Sequence, residues 1–442
     1  MKHTPSNLPN EAILFWGLSL ILFLLAFIPR WLWAMASHPP PFSDMEDYYL
    51  CAVNYLRGSY LAMSTERLAY RPPLYPLFLA GCMKWLPEYG LTGIRMVQAI
   101  LGSLSVVLLF TIFLHSFKQM INQSRSIAFP YIFSFLGALS FAGMRNQVFF
   151  SAVLMTETLF IFGLLGWVWI LIYSKNSGRL WGYGLFSLIL GLLALIRPIA
   201  LFFLPILIYT MIRLPFSGKR GISFWIPLFI WMLPILPWTI RNALVLGYFV
   251  PISTNAGINF YIGHNPTYEY YSTGNKEWMR REFERQFGVD EVLEDRHFFQ
   301  LGMNYLAQHP LSLIPHSLKK LNYLYLDRRP PWPMDEYDRG TRLRFGEAVP
   351  WPLLNWNPCL LFFAILGVIC AILRKLDHGV YLSIIGLYTM SCLLYFARTR
   401  FRLPIEPFLL MYIWIGVYFL LESGMWAFRK LFWRIANEPP PS

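Results

Sequence analysis

The stretch WGYGLFSLILGLLALIRPIALFFLPILIYTMI, Trp181 to Ile212, decides how this chain is threaded. It reads either as one long helix kinked at Arg197-Pro198 or as two short ones meeting there. Around it lie other apolar runs at about 13–35, 94–114, 127–143, 148–173, 222–240, 351–373, 380–396 and 403–421, most of them near the roughly 20 residues that a membrane-crossing helix needs. Lys2, Lys118 with Arg125, Lys175 with Arg179, Arg213 with Lys219 and Arg220, Arg374 with Lys375, and Arg429 with Lys430 and Arg434 recur in alternate connections, which by the positive-inside rule face the cytoplasm. A single span at 181–212 would carry the loop RLPFSGKRG, Arg213 to Gly221, to the outside against that rule. The hairpin is therefore preferred, with Arg197 near the outer surface, ten spans in all and both termini cytoplasmic.

Composition agrees with a membrane protein. Of 442 residues, 56% are hydrophobic and 14% charged, against roughly 25% charged in an ordinary soluble domain. Trp31, Trp33, Trp225, Trp231 and Trp238 sit at the ends of apolar runs, where amphipathic rings favour the headgroup zone. The net charge of +13 is scattered through short loops without a basic, aromatic-interleaved stripe, which excludes nucleic acid and points to anionic lipid. Cys51, Cys82, Cys359, Cys370 and Cys392 lack paired metal-ligand spacing and read mainly as small apolar residues, although Cys51 and Cys82 share one outer segment and could pair. The first apolar run lacks a small-residue cleavage site and reads as a retained span.

The expected fold is an all-α polytopic membrane protein of about ten transmembrane helices, with two extracytoplasmic loop regions carrying interfacial and amphipathic helices. Residues 1–240 form an N-terminal transmembrane region that includes the first outer loop, 36–93. Residues 241–350 form the second outer region, and 351–442 a C-terminal transmembrane region with a cytoplasmic tail. Leu74 to Pro87 is too short and too polar to cross and suits a helix lying in the interface. The charged stretch Asn275 to Pro310 has the spacing of one or two amphipathic helices, and 322–352 reads as an ordered loop returning to the membrane.

Candidate chemistry gathers in these outer regions. In PFSDMEDYY, Pro41 to Tyr49, the pair Ser43-Asp44 reads as a helix cap with Glu46 and Asp47 in the first turn, where carboxylates favour the helix dipole. The same acids at a lipid–water boundary also suit a general base or a cation site. Arg71 in RPPLYPLF is stiffened by Pro72, Pro73 and Pro76, and either clamps a phosphate or snorkels to headgroups. Glu157 falls in the run 148–173, about three turns past Arg145-Asn146, where a carboxylate must be catalytic or paired with an arginine such as Arg197. The stretch Pro237 to Pro266 leaves the membrane at Arg241-Asn242 and then offers Ser253, Thr254, Asn255, Asn259, His264 and Asn265 on a turning backbone. Such a run suits sugar hydroxyls or a phosphate, or simply a turn-rich loop, and His264 reads more readily as a structural residue than as a base. Arg398, Arg400 and Arg402 cluster on the side where arginine is disfavoured, with Glu406 inside the next span. An anionic ligand entering from the outer leaflet would account for them, as would neutralisation by Glu406 and lipid phosphate.

Taken in order, DxxxYxxxA (Asp44, Tyr48, Ala52), RPPLYPLF, TETLF, Arg197-Pro198, PWTIRN, STNAGINFYIGHNP and FRLPIEP resemble bacterial polytopic glycosyltransferases of the C-type superfamily, over about residues 30 to 410. The nearest relatives are the protein O-mannosyltransferase-like and lipid A aminoarabinose transferase-like proteins. The resemblance implies an enzyme of the bacterial cytoplasmic membrane that moves a hexosyl or pentosyl group, with inversion, from a polyprenyl-phosphate donor to a lipid, glycan or protein acceptor on the outer face. It implies Asp44 as the catalytic base and Glu157 as a second acidic site residue, with Glu46 and Asp47 as neighbours. Arg71, Tyr75, Arg241, Asn242, His264, Arg400 and Arg402 would serve the donor. A divalent cation, Mg²⁺ or Mn²⁺, on Asp44 and Glu157 is compatible with such chemistry and not required by the sequence. The competing classes are a ligase or polymerase acting on a lipid diphosphate and a transporter of lipid-linked sugar, though no internal symmetry of the transporter kind is present.

Overall fold

The structure is a computed structural model that describes residues 8–37, 39–121, 128–177, 179–213, 220–266, 281–285, 288–328, 344–349 and 353–436. It is all-α: the described residues contain no β-strand beyond an isolated bridge between Met144 and Leu354. In chain order the principal helices are α1 (Leu8–Ala36), α2 (Asp44–Leu56), α3 (Leu74–Trp85), α4 (Gly90–Met120), α5 (Ala128–Ala142), α6 (Arg145–Phe150), α7 (Glu157–Ser177), α8 (Leu180–Ile196) and α9 (Leu204–Arg213). There follow α10 (Arg220–Met232), α11 (Ile235–Leu246), α12 (Ala256–Gly263), α13 (Glu291–Gln308), α14 (Leu313–Leu321), α15 (Leu360–Leu373), α16 (Gly379–Leu394) and α17 (Glu406–Ala436).

Helices at α1, α4, α7 and α17 are both long and apolar enough to cross a membrane. Five shorter apolar helices accompany them, at Ala128–Ala142, Leu180–Ile196, Pro198–Arg213, Leu360–Leu373 and Gly379–Leu394. The expected span 222–240 is broken instead: α10 and α11 meet at Leu233-Pro234 with a bend of 48°, and the helix runs on past Arg241-Asn242 to Leu246. Pro234 supplies no N–H and starts the second piece. The run 148–173 is broken too, since residues 151–156 leave the helix between α6 and α7. Their backbone is satisfied from α4. Gln98 donates to the carbonyls of Ser151 and Val153, and Arg95 to that of Ala152, as irregular backbone deep in a helical bundle demands.

At 181–212 the chain breaks at Arg197, after which Pro198–Phe203 form a 3-10 helix. Leu180 and Tyr183 near the start of α8 line one cavity with Thr210 and Arg213 at the end of α9, so the chain returns to the level at which it set out. Arg197 is left at the opposite end of α8, about 25 Å away at 1.5 Å per residue.

The bundle closes around α4, which packs on α1, α5 and α7, while α7 pairs with α8 and α15 with α17. The last pair approaches closely: a Cβ on Gly367 or Gly416 would fall 1.8 Å from the Tyr412 carbonyl oxygen or 2.1 Å from that of Phe363. Trp33 is fully buried and donates to the Phe149 carbonyl at 3.2 Å, so it belongs to the core and not to a headgroup belt. Arg30, also buried, donates to the carbonyls of Ala26 and Ala142. A second, smaller core of Ile258, Ile262, Phe283, Phe298 and Phe396 joins α12 and α13 to the end of α16. The cysteines are free, including Cys51 and Cys82. Lys2, Arg125, Lys219, most of the loop Arg213 to Gly221, most of Asn275–Gln286 and most of the return loop 322–352 lie outside the described residues.

Candidate active site

Asp44 opens α2, but not through the cap expected of Ser43-Asp44. Ser43 takes a positive φ of 53° and its side chain makes no capping hydrogen bond. Backbone bonds from Met45 N–H to the Phe42 carbonyl and from Glu46 N–H to the Ser43 carbonyl close the first turn instead. The Asp44 carboxylate meets two guanidiniums. Arg71 Nη2 donates to Asp44 Oδ1 at 2.6 Å, and Arg400 Nη2 donates to Asp44 Oδ2 at 2.7 Å. Asp47, one turn on, accepts from Arg71 Nε at 3.0 Å, while Glu46 is exposed. Arg71 also lies over the rings of Tyr48 and Tyr70. Its burial opposes the charged form, but the Asp44, Tyr48 and Asp47 groups more than offset this and hold the guanidinium well above its ordinary pKa.

These residues face a cleft of about 380 Å³. Asp44, Tyr48 and Arg71 line one side, and Arg197, Pro198, Leu201 and Phe202 of the α8–α9 connection a second. Ser253, Asn255 and Asn259 at the start of α12 form a third, and the last turns of α16, through Tyr388, Ser391 and Tyr395, close it beside Arg400. Arg197 Nη2 meets Glu157 Oε1 at 3.5 Å, whereas buried Arg197 Nη1 and the Tyr388 hydroxyl have no protein hydrogen-bond partner. Buried donors of this kind on a cavity wall mark a place for an anionic or polar ligand. Glu157 itself is fully buried at the first residue of α7, not mid-helix as the sequence indicated, and lies behind Arg197 rather than on the cleft wall.

Second-loop contacts set the position of Arg71. Glu291 of α13 accepts from the N–H groups of Leu68 and Ala69 at 2.8 and 2.9 Å and from Thr254 Oγ1 at 2.7 Å. Arg67 pairs with Glu284 and Glu294, and Arg241 donates to the Leu68 carbonyl at 2.8 Å. The segment leading to Arg71 is thus held by both outer regions at once. Sequence reading had no means of pairing residues more than 200 positions apart.

Other candidates stand behind the cleft. Tyr75 donates to Gln98 Oε1 and packs edge-on beneath Tyr48. Asn242 donates to the Val250 carbonyl, and Arg241 stacks on Trp238. His264 is buried, 2.7 Å from the Leu394 carbonyl and 3.4 Å from Lys320 Nζ. Arg402 pairs with Glu406 at 3.0 Å under Trp356, with the other Glu406 oxygen taken by Gln147. These groups shape the walls without lining them. The sequence reading passed over Tyr388 and gave Arg197 only a structural role. A signal was present for the first: Tyr388 and Ser391 stand one turn apart near the end of a largely apolar helix.

Among the described residues no group of three or more His, Cys, Asp or Glu is arranged to hold a metal ion. The charges that meet Asp44 are guanidiniums. A larger cavity of about 990 Å³ lies at the far end of α8, where Lys175 and Asp377 pair with each other at 2.7 Å in exposed positions. The buried, convergent charges are in the smaller cleft.

No protein-family model matches the chain, and no curated protein does. Among solved structures it is similar to the crystal structure of the Archaeoglobus fulgidus oligosaccharyltransferase tethered, via a disulfide bond, with an acceptor peptide containing the NVT sequon, with a TM-score of 0.49 and 12% identity. The match covers 97% of this chain and 52% of that one, so the chain spans about half the length of its neighbour, and a likeness this loose carries no functional assignment.

Proposed function

We propose that the protein is an integral-membrane glycosyltransferase that moves a sugar from a polyprenyl-phosphate donor to a hydroxyl or amine of a lipid, glycan or protein acceptor, with inversion. The observation that carries this reading is Asp44 held between Arg71 and Arg400 in a cleft that also presents the buried donors of Arg197 and Tyr388. While both arginines hold it, the carboxylate gives its lone pairs to N–H donors rather than to a proton. An entering phosphate competes for Arg400 and supplies an acceptor for Arg197 Nη1 and the Tyr388 hydroxyl. Asp44 then keeps Arg71 as its orienting partner and gains the capacity to act as a base.

In the transfer step the acceptor oxygen or nitrogen bonds to the anomeric carbon and its proton passes to Asp44. The bond from that carbon to the phosphate oxygen breaks, with its electron pair leaving on the phosphate. Negative charge therefore grows where the arginines are fixed, so their attraction is stronger in the transition state than in the bound donor. In this reading the cleft opens on the outer face of a bacterial cytoplasmic membrane with both termini inside, which the distribution of basic residues over alternate connections supports. Release of polyprenyl phosphate from a panel of lipid-phosphate sugars, by wild type and Asp44→Asn, is the test. Release by wild type alone, with the variant folded, supports the proposal; equal release by both removes Asp44 from the base role, and release of a diphosphate carrier moves the protein to the ligases.

A further inference from the structure

We infer that the sugar on the donor is uncharged and that it is recognised by the amide wall formed by Asn255 and Asn259. This rests on the proposed transferase reading and adds the substrate class. The cleft has two unlike sides. On one, Arg71 and Arg400 hold Asp44, which among the described lining residues is the one carboxylate, and Arg197 lines the same cleft from the α8–α9 connection. With Asp47 on Arg71 and Glu157 behind Arg197 the charges balance, and what the wall offers a phosphodiester is guanidinium N–H groups rather than surplus charge. No carboxylate on the wall is left to compensate a sugar ammonium, since Asp44, the one that lines it among the described residues, is already engaged by Arg71 and Arg400. A sugar carboxylate would compete with the phosphate for the same guanidiniums and draw the anomeric carbon away from Asp44.

The side formed by the start of α12 is polar and neutral. Asn255 stands at the N-cap of α12 and Asn259 one turn further, on the same face. Ser253 Oγ donates to Asn255 Oδ1 at 3.2 Å, which fixes the amide and turns its N–H₂ edge away from Ser253. The helix that carries them is rigidly seated: a Cβ on Gly257 would fall 1.7 Å from the Asp295 carbonyl oxygen, and Gly257 N–H donates to the Asp295 carboxylate. Carboxamides offer both donors and acceptors, as a ring of hydroxyls requires.

The test uses the full chain in nanodiscs of zwitterionic lipid and four probes on one short prenyl phosphate: bare, neutral hexosyl, amino-sugar and hexuronosyl. Binding is read directly, so no acceptor is needed. The neutral hexosyl probe should bind at least about tenfold more tightly than either charged one. Asn259→Asp, or Asn255→Asp should the first fold poorly, should shift the ratio toward the amino-sugar by about tenfold when each protein is normalised to its own affinity for bare prenyl phosphate. If bare prenyl phosphate binds while a charged sugar probe equals or exceeds the neutral one, the sugar assignment falls and the transferase reading stands. If bare prenyl phosphate does not bind, both fall.

Discussion

Asp44 holds a place in the fold and, in the proposed reaction, would also take up a proton. Its two ion pairs tie residue 44 to residues 71 and 400, near the two ends of the chain. Replacing it with asparagine leaves a side chain that still accepts hydrogen bonds but takes no proton, so transfer, measured as polyprenyl phosphate released per folded protein, should drop by about 10²–10⁴-fold, while loss of the charge opposite Arg71 and Arg400 should also lower the unfolding temperature. Arg197 calls for a different experiment because it has two partners, buried Glu157 and the proposed phosphate. Arg197→Gln should leave Glu157 as an uncompensated buried charge and cost about 3–5 kcal/mol. Adding Glu157→Gln should recover most of that stability but none of the donor binding. Recovery of both in the double variant would show that Arg197 acts only through Glu157. The acids and arginines near Asp44 were legible in the sequence because charge is rare in so apolar a chain. Which arginine meets which acid was not, since Arg400 and Arg402 are two residues apart and yet point to Asp44 and Glu406 respectively.

Between elements, the sequence marked almost every apolar helix by length and composition alone, since each buries or exposes a nearly continuous hydrophobic surface. It did not mark the breaks at 151–156 and 233–234, whose cost is met by partners elsewhere, Gln98 and Arg95 in the first case. The clamp on the Arg71 segment is likewise a long-range product. Glu291→Ala should remove three hydrogen bonds to a buried carboxylate, each worth about 1.5–3 kcal/mol at most, and hydrogen exchange should rise at 67–71 and 252–256 before it rises in the bundle. A second junction holds the end of α16, where Lys320 Nζ donates to the Leu393 carbonyl beside His264. Burial lowers the Lys320 ammonium to about 7, and burial together with the Lys320 charge lowers His264 to about 4. Both groups bind protons less readily folded than unfolded, so their contribution is largest at high pH. That of Lys320 declines as pH falls from its unfolded value near 10.4 to about 7, and that of His264 from near 6.5 to about 4. Thermal stability should therefore fall toward acid, and Lys320→Met should flatten the upper part of that dependence.

At the scale of the molecule, α8 and α16 each touch both cavities. Leu180 and Tyr183 belong to the larger one and Ile196 and Arg197 to the cleft; Gly379 and Ser383 belong to the larger, Tyr388 and Ser391 to the cleft. Along α8 the two cavities lie toward opposite ends, one marked by Lys175, Arg213 and Asp377 and the other by the arginine-bound Asp44, whereas along α16 their linings meet, because the larger cavity also reaches Leu387 and Met390. The charged groups at the two ends of α8 are about 25 Å apart, against a hydrocarbon thickness of roughly 30 Å, so in the proposed reading they should face opposite sides of the membrane. Basic connections gather at the Lys175 end, so that end should face the cytoplasm. Single cysteines test this in a chain whose five native cysteines have been replaced. Ser253→Cys should react with an impermeant thiol reagent added to intact spheroplasts, and prenyl phosphate should slow the reaction by occupying the cleft. Asp377→Cys, at an exposed position, should react only after the membrane is opened. The reverse pattern would place the cleft inside, and the donor would then have to be one presented on the cytoplasmic leaflet.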